Sequence, residues 1–300
     1  MQVGRYEILE TIGRGASSRV AKACDTLIGR TVALKTFPEG PIDPGWRERF
    51  LSEARVLGKL SHAAIVDLYD IGIDDAGAPY LVMEYIPGKP LDQVLAKGTI
   101  PFQKACAWAG DLAEALACAH RNRVIHGDVK PANVLVSDAG RVKLSDFGIA
   151  GLAMRLSGTG QVLGTPAYMS PEQFMGRPLS NRSDLFSLGV VLYEMVTGLR
   201  PFDGETFKEV GAQILSATAQ PPSRVNRAIP QALDGIVLRC LAKDPGARYA
   251  SGEELAADLF PLARRKAEAA AEPSPARESA TAVVPRRRLP RLFGLAGATK

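Results

Sequence analysis

Residues 124–149 read V-I-H-G-D-V-K-P-A-N-V-L-V-S-D-A-G-R-V-K-L-S-D-F-G-I, and no other stretch restricts the fold as much. The pattern is strand, polar loop, strand, turn, strand, acidic turn. Val124 and Ile125 lead as a strand into a loop that holds Asp128, Lys130 and Asn133. The apolar run Val134-Leu135-Val136 follows, then Ser137-Asp138-Ala139-Gly140, which is turn chemistry. Val142-Lys143-Leu144 alternates as a half-buried strand does, and Asp146-Phe147-Gly148 comes directly after. Two short strands thereby bring a carboxylate, an ammonium, an amide and a second carboxylate to one end of a hairpin. Phosphoryl transfer needs such a set. It takes an acid to accept a hydroxyl proton, a cation beside the transferred group, and an amide with a carboxylate to hold Mg²⁺.

In type and spacing this stretch resembles the catalytic loop H-R-D-x-x-x-x-N and the metal-binding D-F-G of eukaryotic-like (Hanks-type) serine/threonine protein kinases of the bacterial type. One position departs: Gly127 stands where that family usually has Arg. The resemblance implies an α+β, bilobal protein kinase-like fold with a β-rich first lobe and a helical second lobe. It covers roughly residues 6–262, with no internal repeat. The boundaries it suggests are a kinase domain at 1–263 and a tail at 264–300. Within the domain they are a first lobe at about 1–83, a hinge at 84–88 and a second lobe at 89–263.

Length suits one large domain or two lobes, and 46% hydrophobic residues allow a sizeable core. Cys24, Cys106, Cys118 and Cys240 lie far apart with no C-x-x-C pair, which predicts reduced thiols in a cytoplasmic setting. His62, His120 and His126 are scattered and suggest no metal cluster. No apolar run reaches about 18 residues and the start is not charged-then-apolar, so neither a membrane span nor a secretion path is expected. The net charge of +5 is uneven. Residues 264–300 hold nine Lys/Arg against three Asp/Glu, a net +6, which leaves −1 for residues 1–263. A nucleic-acid-binding main domain would carry a basic face of its own, so nucleic acid is not an expected partner.

Taken in order, Y-E-I-L opens a strand at Tyr6. Residues 12–20, I-G-R-G-A-S-S-R-V, form a glycine-bearing hairpin turn, and V-A-K-A-C returns as a strand. By itself G-x-G is an ordinary turn. Here it resembles the kinase loop G-x-G-x-x-G-x-V that folds over ATP phosphates: Gly13, Gly15 and Val20 fit, and Ser18 replaces the third glycine. Residues 31–37, T-V-A-L-K-T-F, are a strand with Lys35 in V-A-L-K, close to the family's V-A-I-K. A helix follows, with Arg47, Phe50, Ala54, Leu57 and Leu60 at three- and four-residue steps. Glu53 falls on it. A helical Glu ordinarily faces solvent, whereas the resemblance implies that Glu53 pairs Lys35, which then holds the α- and β-phosphates.

Residues 65–69 and 79–85 read as two more strands joined by D-D-A-G. E-Y-I-P-G at 84–88 resembles the hinge. The resemblance implies that the backbone of Glu84 and Ile86 binds the adenine edge and that Met83 borders the pocket. Val20, Ala33 and Leu135 would enclose the ring, with Ile12 in the same nucleotide set. Without the resemblance, these apolar residues read as plain core. Beyond the hinge the pattern turns helical: a short helix at 91–96, then an Ala-rich one at 101–122 with Ala105, Leu112, Leu116 and Ala119 at helical spacing.

Residues 149–169 are small, polar and irregular, including Ser157, Gly158, Thr159, Gly160 and Gly164, as functional loops often are. They close in G-T-P-A-Y-M-S-P-E, which resembles the end of a kinase activation loop with Ser170 for the usual Ala. There the resemblance makes Glu172 a structural ion-pair acid, with Arg248 its candidate partner. Residues 184–195 form an almost wholly apolar helix. Asp184 at its start is expected to cap it, and the resemblance adds a role bracing the catalytic loop's backbone. Two or three more helices run to about 262, broken by Pro221-Pro222 and Asp244-Pro245. From 264 on, Ala, Glu, Pro, Ser and Arg dominate without an apolar period, which reads as a solvated, disordered end. P-R-R-R-L-P-R-L-F at 285–293 offers an alternative: weak contact with an anionic membrane surface, at about 1 kcal/mol per basic residue, with Leu292 and Phe293 inserting.

The resemblance assigns roles. Asp128 is the base, Lys130 neutralises the transferred phosphoryl group, and Asn133 and Asp146 hold Mg²⁺ or Mn²⁺ across the phosphates of ATP. D-x-K-P-x-N and Thr165 in G-T-P resemble kinases directed at Ser/Thr hydroxyls of protein substrates. Neither Gly127 nor Gly151 offers a cation to a loop phosphate, which leaves Arg49, one helical turn before Glu53, as the alternative donor. Weak or no dependence on loop phosphorylation is expected, with autophosphorylation at Ser157, Thr159 or Thr165 still open. The competing reading is an inactive nucleotide-binding pseudokinase scaffold. Its usual mark is loss of the strand Lys or an essential Asp, yet Lys35, Asp128, Asn133 and Asp146 are all present. The sequence assigns no oligomeric state.

Overall fold

Antiparallel pairing accounts for most of the first third of the chain. The computed structural model describes residues 1–14, 18–37, 46–147 and 166–265, the side chains of Trp46, Arg47, Arg49 and Glu53 excepted. Strands β1 (Gln2–Val3), β2 (Tyr6–Arg14), β3 (Arg19–Asp25), β4 (Arg30–Thr36), β5 (Leu68–Ile73) and β6 (Pro79–Glu84) form one sheet in the order β1-β2-β3-β4-β6-β5. Central β4 is buried on both faces. Val32 and Leu34 pack with Val3, Tyr6, Ala23 and Val82 on one side. On the other, Ala33 packs with Phe37, Leu81, Met83 and with Phe50 and Ala54 of helix α1 (Trp46–Leu57). The two-residue period of a strand therefore places Lys35 on the α1 face with Ala33 and Phe37.

β5 starts at Leu68, later than expected. Residues 64–66 are diverted to another partner: Val66 N–H donates to Leu144 O at 3.0 Å and Leu144 N–H to Ala64 O at 2.8 Å. Ile65 and Leu60 are thereby buried in the helical core rather than in the sheet.

A second sheet, β7 (Gly88–Pro90), β8 (Val134–Ser137) and β9 (Val142–Leu144), carries the hairpin expected around residues 137–140. The remaining helices are α2 (Leu91–Leu95), α3 (Phe102–Arg121), α4 (Pro171–Phe174), α5 (Asn181–Thr197), α6 (Phe207–Ser216), α7 (Pro222–Val225), α8 (Gln231–Cys240) and α9 (Gly252–Ala263). α3 and α5 are buried along most of their length and form the core. α9 lies against α3 so closely that a Cβ on Gly252 would sit 2.0 Å from Ala113 O, a contact only glycine allows. Past residue 197 the described residues hold four helices, not two or three. Pro222 opens a single turn, as proline at a first helical position can, rather than only ending the preceding helix. Asp244 caps a 3₁₀ turn at Pro245–Ala247, its Oδ1 accepting from Gly246 N–H at 2.9 Å.

No helix among the described residues is long and apolar enough to cross a membrane. Cys106 and Cys240 are buried, and burial pushes both thiols up to about 12, which makes them unreactive core residues.

Candidate active site

Residues 124–129 form neither helix nor strand, so the strand expected at Val124-Ile125 does not form. Its backbone groups are satisfied largely by side chains. Asp184 Oδ2 accepts from His126 N–H at 2.9 Å, and Asp184 Oδ1 from Gly127 N–H at 2.8 Å. Gly127 O accepts from Gln173 Nε2 at 2.8 Å. Asp128 N–H donates to His126 Nδ1 at 3.2 Å, and Asp128 O accepts from Asn133 Nδ2 at 2.8 Å. His126 uses its other nitrogen to donate to Ser145 O at 2.9 Å, which fixes its tautomer. Asp184 is not a helix cap. α5 begins at Asn181, and Ser183 Oγ accepts from Ser180 N–H at 3.0 Å at that end. The buried Asp184 carboxylate reaches across to the loop instead and also meets His120 Nε2 at 2.7 Å.

The loop presents its chemistry in a connected set. Asp128 Oδ2 accepts from Lys130 Nζ at 2.7 Å and from Asn133 Nδ2 at 3.0 Å. Asn133 O in turn accepts both the N–H and the Oγ–H of Ser145, at 2.9 and 3.0 Å. The next residue, Asp146, has φ of 65°, a left-handed conformation that costs a non-glycine residue about 1–3 kcal/mol and is typical of functional sites. Lys35 Nζ donates to Asp146 Oδ1 at 2.7 Å, so the strand lysine and the acidic turn meet directly. Phe147 is buried and, with Asp146, lines a small cavity whose wall also includes Leu57, Leu60, Ile65 and Met83. Among the described residues these bonds leave Asn133 Oδ1 and Asp146 Oδ2 uncommitted. This all-oxygen donor set fits a hard divalent cation such as Mg²⁺.

The residues expected around the nucleotide are distributed over both sheets. Gly13 faces Val20 across β2 and β3, Val20 faces Lys35, and Ala33 faces Met83. Ala33 and Met83 are buried, Val20 and Leu135 half-buried, and Ile12 exposed. Leu135 lies in β8 opposite Pro90 and Lys143. Glu84 is anchored by its side chain: Oε2 accepts from Lys143 Nζ at 2.7 Å and Asp67 N–H at 3.3 Å, and Lys143 also donates to Ile65 O at 3.0 Å. Ile86 is half-buried and in no strand. Gly15, Gly148, Ser157, Thr159 and Thr165 lie outside the described residues. So does the Glu53 side chain, and with it the expected Lys35–Glu53 contact, although the Glu53 backbone sits within α1.

Glu172 and Arg248 meet as the sequence suggested. Arg248 Nη1 and Nη2 donate to Glu172 Oε1 and Oε2 at 2.8 and 3.0 Å, and Ser183 Oγ adds a bond to Oε1 at 2.7 Å. Arg248's guanidinium also donates to the carbonyls of Arg182, Ala242 and Lys243. Burial alone would raise the Glu172 carboxyl, but the bonds from Arg248 and Ser183 outweigh it and hold the carboxyl at about 2. This bidentate pair fastens α4, just after the segment 166–170, to the turn before α9.

Gln173, Ser145, Lys143 and His126 belong to the site without having been singled out as site residues. Only His126 carried a local signal, its place two residues before Asp128. The Gln173–Gly127 bond spans 46 residues and no pattern in the chain announces it. The protein kinase domain family matches residues 6–260. Serine/threonine-protein kinase PrkC of Bacillus subtilis is 37% identical over 260 residues, 85% of this chain and 40% of that protein. The probable serine/threonine-protein kinase PknB of Corynebacterium glutamicum is 41% identical over 273 residues, 87% of this chain and 42% of its own length. The chain thus spans well under half of these two relatives. The crystal structure of the Mycobacterium tuberculosis PknI kinase domain is similar with a TM-score of 0.69 and 26% identity, covering 88% of this chain and 97% of that one. A catalytic loop, acidic turn and strand lysine assembled in this way, on a chain matched along residues 6–260, belong to the protein kinase domain family.

Proposed function

We propose that residues 1–263 form a serine/threonine protein kinase domain that transfers the γ-phosphate of ATP to Ser or Thr hydroxyls of proteins. The observation that carries this reading is the joined set Asp128, Lys130, Asn133, Asp146 and Lys35. Asp128 Oδ2 is held by two donors, which leaves Oδ1 to align an acceptor hydroxyl and take its proton. Lys130, paired to that carboxylate at 2.7 Å, would neutralise charge on the transferred phosphoryl group. Asn133 and Asp146 would hold the divalent ion, Mg²⁺ or Mn²⁺, which when bound neutralises phosphate charge. Lys35 would orient the nucleotide, with Val20, Ala33, Met83 and Leu135 lining the adenine and the backbone of Glu84 and Ile86 reading its edge. Positioning and electrostatics then supply most of the rate. Relatives named serine/threonine-protein kinases support the acceptor class. ATP dependence and four free cysteines favour a cytoplasmic setting, and the basic cluster at 285–293 would add at most a weak membrane-surface contact, the alternative to a solvated end.

The test is transfer of labelled γ-phosphate from ATP with Mg²⁺, to the protein itself and to a generic basic protein, beside Asp128→Asn. Label on Ser or Thr that disappears in the variant is the expected result. Nucleotide binding with no transfer by the unmodified protein would instead establish the pseudokinase scaffold.

A further inference from the structure

Gly127 is where this chain departs from the family pattern, and its backbone is held from two directions. Its N–H donates to Asp184 Oδ1 at 2.8 Å and its carbonyl accepts from Gln173 Nε2 at 2.8 Å. That carbonyl and the N–H of Asp128 belong to one peptide unit. The N–H end has only a long bond, 3.2 Å, to His126 Nδ1. Gly127 has φ of +73°, and a Cβ there would touch only Leu179 Cδ1, at 3.4 Å. Side-chain packing therefore does not lock the peptide, and a glycine on one side lets it rotate more freely than between two larger residues. Rotation of this unit moves the Cα that carries the Asp128 carboxylate. The Gln173 bond is the shorter of the two restraints on it.

Gln173 itself is well placed to act as a strut. It lies on α4, where its own N–H donates to Ser170 Oγ at 3.3 Å. Its neighbour Glu172 is clamped to Arg248. The amide thus extends from a fixed base, and its partner is a main-chain carbonyl, so neither end of the bond carries a charge.

We infer that Gln173 is a positioning residue for phosphoryl transfer: its amide holds the Gly127–Asp128 peptide, and so the Asp128 carboxylate, in the orientation the reaction needs. This rests on the kinase reading above and names a group that acts through Asp128 without touching substrate. Small misplacements of a base are costly in rate and leave nucleotide affinity alone, because ATP is gripped elsewhere.

Two near-isosteric variants separate the donor from the shape. Gln173→Met removes the amide without adding charge, and Gln173→Glu replaces it with an acceptor. Both are expected to lower kcat about tenfold or more, with KM for ATP and the affinity for ADP within twofold of the unmodified protein. Hydrogen exchange at the Asp128 amide is expected to quicken in both. A kcat within twofold in Gln173→Met overturns the proposal, even if Gln173→Glu is impaired, because charge would then be the cause. Parallel losses of kcat, ADP binding and melting temperature overturn it too, since they mark a packing role. If the unmodified protein transfers no phosphate, the kinase reading fails, which is distinct from the failure of this inference.

Discussion

Lys35 Nζ and Asp146 Oδ1 lie 2.7 Å apart, joining the central strand of the large sheet to the acidic turn after β9. The contact depends on the strand period: Ala33, Lys35 and Phe37 share the α1 face, so the ammonium enters the site rather than the opposite core. Its side chain is 8% exposed and that of Asp146 31%. A buried ammonium costs desolvation that its partner only partly offsets. Lys35→Met is therefore expected to leave the melting temperature unchanged or slightly raised while lowering kcat/KM for ATP by about 100-fold or more. Thermal unfolding beside steady-state kinetics checks both halves, and a large drop in melting temperature would show the pair to be structural.

Asp184 collects two backbone N–H groups and one imidazole nitrogen with a side chain that is 2% exposed. Asn in its place has one oxygen and must turn an NH₂ towards one of those donors. Asp184→Asn is expected to cost about 2–4 kcal/mol, since a buried network is broken from one side. For a domain of this size that is a melting temperature lower by about 4–8 °C. Activity is expected to fall further than the lost folded fraction accounts for, because the loop it holds carries Asp128. Kinetics below the transition, normalised to ADP-binding sites, separate the two effects.

The contrast between Asp128 and Asp184 shows how far the chain discloses its own site. Asp128, Lys130 and Asn133 are legible because their relation is local: five residues of loop fix their order, and the hairpin after them fixes their direction. Lys35 is legible only through V-A-L-K, because a lone strand lysine ordinarily points to solvent. Asp184 does not cap its helix, because the helix start depends on Ser180 and Ser183, weaker signals than an acid before an apolar run; it braces the loop backbone, the role the resemblance implies. β5 was set too early because Ile65 and Val66 have strand character, and only the fold supplies β9 as their competing partner. Gln173 to Gly127 and Lys143 to Glu84 are contacts between distant segments, so no spacing encodes them. The fold class and the Glu172–Arg248 pair are readable in the chain, whereas the Gln173–Gly127 and Lys143–Glu84 bonds are not.

The Glu172–Arg248 pair gives stability a defined acid limb. In the unfolded chain Glu172 takes up its proton near 4.5, and in the folded protein only near about 2. Between those values the unfolded state binds more protons, so stability rises with pH across that window and falls as pH drops through it. The contribution is complete above about pH 4.5 and is on the order of 3 kcal/mol. Glu172→Gln is expected to flatten the pH dependence of the unfolding free energy over that window. It should also lower stability at pH 7 by about 3–5 kcal/mol, because Arg248 is left buried without its counter-charge. Urea unfolding at several pH values from 3 to 7 measures both. An unchanged acid slope in the variant would assign that limb to other carboxylates.

Control by loop phosphorylation is the point at which Gly127 matters most. A phosphate orders a loop by pairing with a cation near the catalytic Asp, and glycine at this position supplies none. The described bonds to the backbone of residues 126–128 come from the side chains of Asp184, His126, Gln173 and Asn133, none of which needs a phosphate partner. These bonds are expected to hold the loop whether or not Ser157 and Thr159 are modified. Replacing both with Ala is expected to leave at least about half of the activity towards an added protein substrate, and phosphatase treatment of the unmodified protein should have as little effect. Initial rates with matched nucleotide affinity decide it. A loss of more than about 90% in the double variant, restored by returning either hydroxyl, would mean that a loop phosphate orders the site by a route independent of Gly127.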